Sequence, residues 1–329
     1  MTVFELTKKL MSIPSVTGSE REVGEFLTSR LAERGYRVEQ QKVAENRFNI
    51  IVQSGDPAVV FCTHIDTVPP ALPVREDDDY LYGRGACDTK GIIAAMLEAG
   101  DRLRSDGISN FGYLFVVGEE TDGSGAKAAN TLKWTSKFVV VGEPTNNKLA
   151  TAQKGTFWAN LTATGKAAHS GYPETGVSAI EGLWKLLDDC RNVGWGSDPV
   201  LGDGSFNIGM FHGGEAGNIV PPRATATVMI RTIEPRVNVE QKMLSIVKNR
   251  ATMEIVAGSD PQFMHVVDGF QTTVVSFGSD IPYLRNLGQP LLIGPGSILD
   301  AHTADEKINK RELLDGIELY ERLVRKLLI

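Results

Sequence analysis

Three cysteines in 329 residues, Cys62, Cys87 and Cys190, are too few and too scattered for a disulfide framework or a thiolate zinc site, so any metal must sit on histidine and carboxylate. Long apolar runs are absent as well: none approaches the roughly 20 residues that a membrane-spanning helix needs. There is no basic block. With 34 Lys and Arg against 41 Asp and Glu the net charge is −7, which offers no electrostatic footprint for nucleic acid or an anionic membrane. The opening stretch MTVFELTKKLMSIPSV carries Glu5, Lys8 and Lys9 where a signal peptide needs its apolar segment, and a cytoplasmic location is expected. Internal repeats and low-complexity segments are also missing. What is present is a globular composition, 42% hydrophobic and 23% charged, in a length that favours two domains. Small molecules are the expected partners.

Two amphipathic helices open the chain, the second predicted to start at a capping box of Ser19 and Glu22 and to stop at Gly35. Short β-branched runs then alternate with helical ones. RFNIIVQ from Arg47, AVVFCTHID from Ala58, GYLFVVGEE ending at Glu120 and KFVVVGEPT ending at Thr145 read as strands, and DTKGIIAAMLEAGDRLRS from Asp88 as a helix. The alternation predicts an α/β sheet with strands buried on both faces. From Lys154 the order becomes βαββαβ, through FWANLTATGK, SAIEGLWKLLDDCRN, FNIGMFHGG, ATATVMIRT, a helix from Val239 and TMEIVAG. Period-two strands with two such helices suit a ferredoxin-like α+β layer. The α/β character returns with PYLRNLG, QPLLIGPG and a terminal helix from Lys310 to Ile329. The expected organisation is therefore a discontinuous α/β domain, residues 1–154 and 263–329, interrupted by an inserted domain at 155–262.

His64, Asp66, Glu119, Glu120 and Glu143 all fall just past the carboxyl end of a predicted strand, where open α/β sheets place their ligands. In CTHIDTVPP, His64 and Asp66 are spaced to point the same way on an extended strand end, one to ligate and the other to orient; a histidine satisfied in a core or turn is the alternative. GRGACDTKG sets Asp88 among glycines in a tight turn, where it could equally cap the following helix. Adjacent carboxylates Glu119 and Glu120 at the end of an apolar strand are costly unless cations or water reach them, and VGEPT repeats the placement with Glu143. His302, in GPGSILDAHTADEK, comes late enough to close such a cleft from another direction. Carboxylate oxygens and imidazoles without thiolates suit zinc, cobalt or manganese.

Taken together and in order, HIDTVP, YGRGACDTKG, GEE, GEP, a histidine-serine pair in the inserted segment, GPG and a late histidine resemble the dinuclear zinc amidohydrolases. That family includes acetylornithine deacetylase, succinyl-diaminopimelate desuccinylase, aminoacylase and the glutamate carboxypeptidases. The resemblance implies a mixed-sheet catalytic domain of zinc-peptidase type with an inserted lid and dimerisation domain. It implies two divalent metal ions, with Asp88 bridging, His64 and Glu143 on one side and Glu120 and His302 on the other. Glu119 would be the general base, and Asp66 would hold the His64 imidazole in its tautomer. His169 of AAHSG matches a histidine that reaches the partner subunit's site and helps hold the oxyanion; on sequence alone it reads as structural.

Arg231, Asn218, Gly294 and Gly296 match substrate-contacting positions, Arg231 as the cation for a substrate carboxylate and the glycines as places where backbone approaches a ligand. Where many relatives have an acidic residue two positions before that arginine, this chain has Met229. The activity this implies is hydrolysis of the amide bond of an N-acyl amino acid by a metal-bridged water, most like acetylornithine deacetylase. A di- or tripeptidase or a deacylase of lysine biosynthesis is the close alternative, and a catalytically inactive binding homologue the distant one. A homodimer is expected through the inserted domain, which carries Trp158, Trp184 and Trp195.

Overall fold

Consecutive apolar residues form the interior of a mixed sheet in the computed structural model, which describes residues 1–53, 57–134 and 136–329. These residues divide into two units, one of Met1–Thr151, Met264–Thr273 and Ser279–Ile329, the other of Ala152–Phe263 and Val274–Gly278. The sequence places residues 152–154, 263 and 274–278 in the first domain, whereas the structure groups them with the second. Within that unit the Lys154 N–H donates to the Val275 carbonyl at 3.1 Å, a pairing that sequence order does not reveal.

In the first unit the sheet runs Val38–Ala44, Arg47–Val52, Phe111–Val116, Val59–His64, Phe138–Val141, Gln289–Leu292 and Leu149–Gln153, the last two residues of which fall in the second unit. The four strands from Phe111–Val116 to Gln289–Leu292 are parallel, and antiparallel strands flank them. Every residue of Val59–His64 and Phe111–Val116 is buried, as two-sided strands require. The helices Gly91–Ser105 and Lys310–Leu327 pack together, and the Tyr320 ring meets Phe61 edge-on at 5.6 Å between centroids. Asn309 caps the last helix by accepting the N–H groups of Arg311 and Glu312.

Two local expectations fail. The second helix, Arg21–Glu33, has no side-chain cap: the Ser19 and Glu22 box does not form. A reciprocal box occurs instead at the first helix, Val3–Met11, between Thr2 and Glu5. PYLRNLG forms only a single tight turn at Ile281–Tyr283, Pro282 supplying its φ.

The second unit has four long antiparallel strands in the order Ser205–Gly213, Arg223–Thr232, Gly155–Thr164, Thr252–Ser259, with helices Ala179–Asn192 and Arg236–Val247 against one face. Strictly alternating burial along Gly155–Thr164 and Arg223–Thr232 gives the one-sided sheet of a ferredoxin-like layer. Of the three tryptophans, Trp195 lies in the core, stacked on Phe206 and donating its indole N–H to the Cys190 carbonyl at 3.0 Å. Trp158 is part-buried and only Trp184, 63% exposed, offers a large free apolar surface. Among the described residues no helix is long and apolar enough to cross a membrane.

Candidate metal centre

Parallel pairing of the His64 strand with its two neighbours brings three carboxyl ends to one edge of the first unit, so the residues that follow them converge. Two clusters result, His64 with Asp88 and Glu143, and Asp88 with Glu120 and His302, each offering ligand atoms within 4.8 Å of one another. Asp88 belongs to both. Its Oδ1 lies 3.0 Å from His64 Nε2 and its Oδ2 lies 3.3 Å from His302 Nε2. Glu120 Oε2 stands 3.0 Å from the same His302 nitrogen. Glu119 stands in neither cluster but in the same turn as Glu120, part-buried beside them.

The loop from Gly83 to Gly91 delivers Asp88. The Asp88–Thr89 peptide is cis, and the Thr89 hydroxyl donates to the His64 carbonyl at 2.7 Å. The Asp88 N–H donates to Glu306 Oε1 at 3.3 Å, and Glu306, fully buried, is paired with Arg84 at 2.6 Å. The following helix begins at Gly91 with no side-chain cap, so Asp88 is not a capping residue.

Asp66 departs from its expected task. The His64 Nδ1–H donates to the backbone carbonyl of Asp66 at 2.9 Å, while the nearer carboxylate oxygen is 3.6 Å away. That carboxylate instead accepts three backbone N–H groups, from Gly118 at 2.9 Å and from Glu119 and Glu120 at 3.2 Å.

Charge in the centre is unbalanced by the side chains alone. Burial pushes Glu119 and Glu143 well above the usual carboxylate range, and raises Glu120 against the opposing hydrogen bond from His302. Asp88, in spite of its burial, is held well below that range by the two imidazoles. His302 is pushed up to about 10 by its bonds to Asp88 and Glu120. Burial pulls His64 down, but the Asp66 and Asp88 carboxylates facing its two ring nitrogens outweigh it. Protonated imidazoles thus offset carboxylate charge that divalent cations would otherwise neutralise, and an all-oxygen and nitrogen donor set fits such cations. Cys62 and Cys87 are kept protonated by burial and add no thiolate.

The remaining expected residues lie elsewhere. A Cβ on Gly294 would stand 2.6 Å from the Glu143 carbonyl, and one on Gly296, where φ is +95°, 2.6 Å from Cys87 Cβ. The close approach at both is to the protein's own site loops. His169, Asn218 and Arg231 belong to the second unit. His169 and Asn218 are exposed; Nδ1 of His169 accepts the Gly171 N–H at 3.0 Å, which puts the ring proton on Nε2. Arg231 is part-buried on its strand and donates to the Thr156 hydroxyl at 3.1 Å.

Sequence reasoning missed Glu306, Arg84 and Asp280. Glu306 sits among Asp305 and Lys307 like any solvated residue, and its burial comes from an arginine 222 positions earlier. Asp280 is buried in the first unit beside Gly123 and Tyr283, and burial raises its carboxyl to about 7. The only signal for it was an acid in a Gly and Pro turn, FGSDIP.

A model of the family described as Peptidase family M20/M25/M40 matches residues 60–326. A peptidase M20 domain-containing protein of Schizosaccharomyces pombe is 37% identical over 335 residues, covering 98% of this chain and 84% of its own. A protein of Aspergillus flavus described as a probable carboxypeptidase is 35% identical over 368 residues, covering 96% and 88%. Among solved structures, a tripeptidase of Staphylococcus aureus superposes with a TM-score of 0.81 at 22% identity, covering 98% of each chain. A dinuclear metal-binding peptidase of Bacillus subtilis superposes with a TM-score of 0.67 at 14% identity, also covering 98% of each.

Proposed function

We propose, because the chain belongs to peptidase family M20/M25/M40, that it hydrolyses the amide bond next to the free carboxylate of a short peptide or N-acyl amino acid. That it is a metal-dependent hydrolase of peptidase type follows from the family. The finer choice goes to peptides over N-acetylornithine, because the similar chains carry peptidase and carboxypeptidase names. The observation that carries the proposal is Asp88, whose two oxygens face two separate ligand clusters with a free carboxylate, Glu119, in the adjoining turn.

His64, Asp88 and Glu143 would hold one divalent ion and Asp88, Glu120 and His302 the other, zinc being the simplest choice for this donor set. Such ions polarise an amide carbonyl and lower the pKa of water toward about 7. Glu119 takes the proton from the attacking water and gives it to the leaving amine, the work for which a carboxylate raised by burial is suited. His169 donates from Nε2 to the developing oxyanion in the partner subunit's site, and Arg231 holds the substrate carboxylate with the Asn218 side chain in support. The Gly294 N–H, expected to help, is already given to the Thr145 hydroxyl at 3.0 Å, and that of Gly296 to the Glu312 carboxylate, so neither serves the substrate. The second unit, through its exposed Trp184, serves as the surface on which two copies pair. Three buried, unpaired cysteines accord with a cytoplasmic, reducing compartment.

The test is hydrolysis by metal-loaded protein of a panel of dipeptides, tripeptides, N-acetylornithine and N-succinyl-diaminopimelate, each with its carboxyl-terminal amide as control. Cleavage of free-acid peptides in preference to their amides supports the proposal. Preference for N-acetylornithine returns the deacetylase assignment, and no turnover of any member overturns both.

A further inference from the structure

The segment Ser15–Glu20, which leads into the second helix, takes no part in the activity proposed above, yet it is stitched to the metal centre. The Ser15 hydroxyl donates to the Ile65 carbonyl at 2.8 Å, the Thr67 N–H to the Ser15 carbonyl at 3.0 Å and the Thr17 N–H to the Thr67 carbonyl at 3.3 Å. Backbone bonds thus lay the segment along Ile65–Thr67 and aim Thr17 at one atom. Its hydroxyl donates to Asp66 Oδ2 at 2.7 Å.

We propose that Thr17 is a positioning residue for Glu119 and Glu120, acting through the Asp66 carboxylate; this rests on the roles assigned above to those two glutamates. Asp66 is wholly buried, and its carboxylate has about four acceptor sites. All four are taken: Oδ1 by the Gly118 and Glu119 N–H groups, Oδ2 by the Glu120 N–H and the Thr17 hydroxyl. The three backbone donors come from a single turn, and they alone cannot say how the carboxylate is rotated, because the turn and the carboxylate could swing together. Among the described residues, Thr17 supplies the one hydrogen bond that ties the carboxylate to a different part of the fold.

The outer side of the same turn is closed by the same segment. Gly118, at φ +81°, would bring a Cβ to 2.8 Å from Arg47 Nη2, and Arg47 is held at 2.6 Å by Glu20, whose other oxygen accepts the Gly18 N–H at 3.0 Å. The turn is therefore set between a carboxylate anchored by Thr17 and a guanidinium anchored by Glu20. A buried carboxylate that loses one donor must admit water or rotate toward another, and either releases the turn that carries Glu119 and Glu120.

The experiment compares Thr17→Val, which keeps the shape and removes the hydroxyl, with Thr17→Ser, which restores it. In the metal-free full-length protein, amide hydrogen exchange at Gly118, Glu119 and Glu120 should quicken by about tenfold or more in Thr17→Val and stay near wild type in Thr17→Ser. In the metal-loaded protein kcat should fall in Thr17→Val with KM held within about twofold, and Thr17→Ser should recover it. Unchanged exchange in Thr17→Val, faster exchange spread over the whole sheet, or a serine variant as impaired as the valine one overturns the proposal. Faster exchange confined to the turn with kcat unchanged upholds the positioning and overturns the roles given to the glutamates.

Discussion

Glu119 and Glu120 are neighbours in sequence with different assignments, and replacing each by glutamine separates them. Both backbone N–H groups bind Asp66, so neither side-chain change disturbs the bonds that hold the turn. Glu120 Oε1 and Oε2 lie 3.1 and 3.0 Å from His302 Nε2, inside a ligand cluster with Asp88. Its replacement leaves that cluster two of its three side chains and removes one negative charge. Loss of even an outer partner of a metal ligand costs about 10- to 100-fold in affinity, so loss of a ligand itself should reach at least the upper figure. Glu119 is in neither cluster. Its replacement should keep both metals and remove only proton transfer, lowering kcat by about 10²- to 10⁴-fold, or roughly 3 to 5 kcal/mol in the barrier. The assay is elemental analysis after dialysis against graded chelator, paired with steady-state kinetics at saturating metal. Glu120→Gln should lose one equivalent at chelator concentrations that leave Glu119→Gln fully loaded, and excess metal should restore part of its activity but none of that of Glu119→Gln. If Glu119→Gln loses metal and Glu120→Gln keeps it, the assignment is reversed and the argument from cluster geometry is refuted.

Amidating the carboxylate of the best free-acid substrate removes a charged hydrogen bond worth about 1.5 to 3 kcal/mol, so kcat/KM should drop about 10- to 150-fold in wild type and little in Arg231→Ala; equal losses in both would clear Arg231 of the role. Gly294→Ala places a Cβ 2.6 Å from the Glu143 carbonyl and 2.9 Å from the Tyr320 hydroxyl, and neither is free to yield. We expect about 1 to 3 kcal/mol lost from stability by calorimetry and weaker metal retention, and a variant matching wild type in both would show that the loop yields. Asp280 titrates near 7 in the native state against an ordinary 3.8, so between those values the native state holds a proton that the unfolded state has released. Stability contributed at this site therefore falls as pH rises from about 4 to 7, and Asp280→Asn removes that loss. In chelator-treated protein the Tm of Asp280→Asn relative to wild type should rise by several degrees between pH 5 and pH 8, roughly 2 to 4 degrees for each kcal/mol. A constant difference would mean that Asp280 is not carrying a shifted proton.

Much of the centre was legible because its residues are marked by local context. A carboxylate directly after a run of buried apolar residues is anomalous in any sequence, and Glu120 and Glu143 announce themselves in that way. The parallel strands were legible for the same reason, since two-sided burial shows as an unbroken apolar run. The helix start at Arg21 was not. Ser19 and Glu22 have the spacing of a capping box, but Glu20 is drawn to Arg47, and no local rule weighs a buried ion pair against a cap. Trp195 shows the same limit from the hydrophobic side: as a tryptophan among polar neighbours it reads as surface, and the core takes it because Phe206 lies beneath it.

The sequence by itself determined which atoms are available to a metal, oxygen and imidazole without thiolate, and which strand ends present them, because both depend on residue type and on hydrophobic runs. Only the tertiary structure decided that Asp88 faces His64 with one oxygen and His302 with the other, and that Asp66 holds the Glu119 and Glu120 turn by its carboxylate and His64 by its carbonyl. Those choices depend on the direction of single lone pairs, which is set by parallel strand pairing and by partners such as Glu306 and Thr17 that lie far away in the chain.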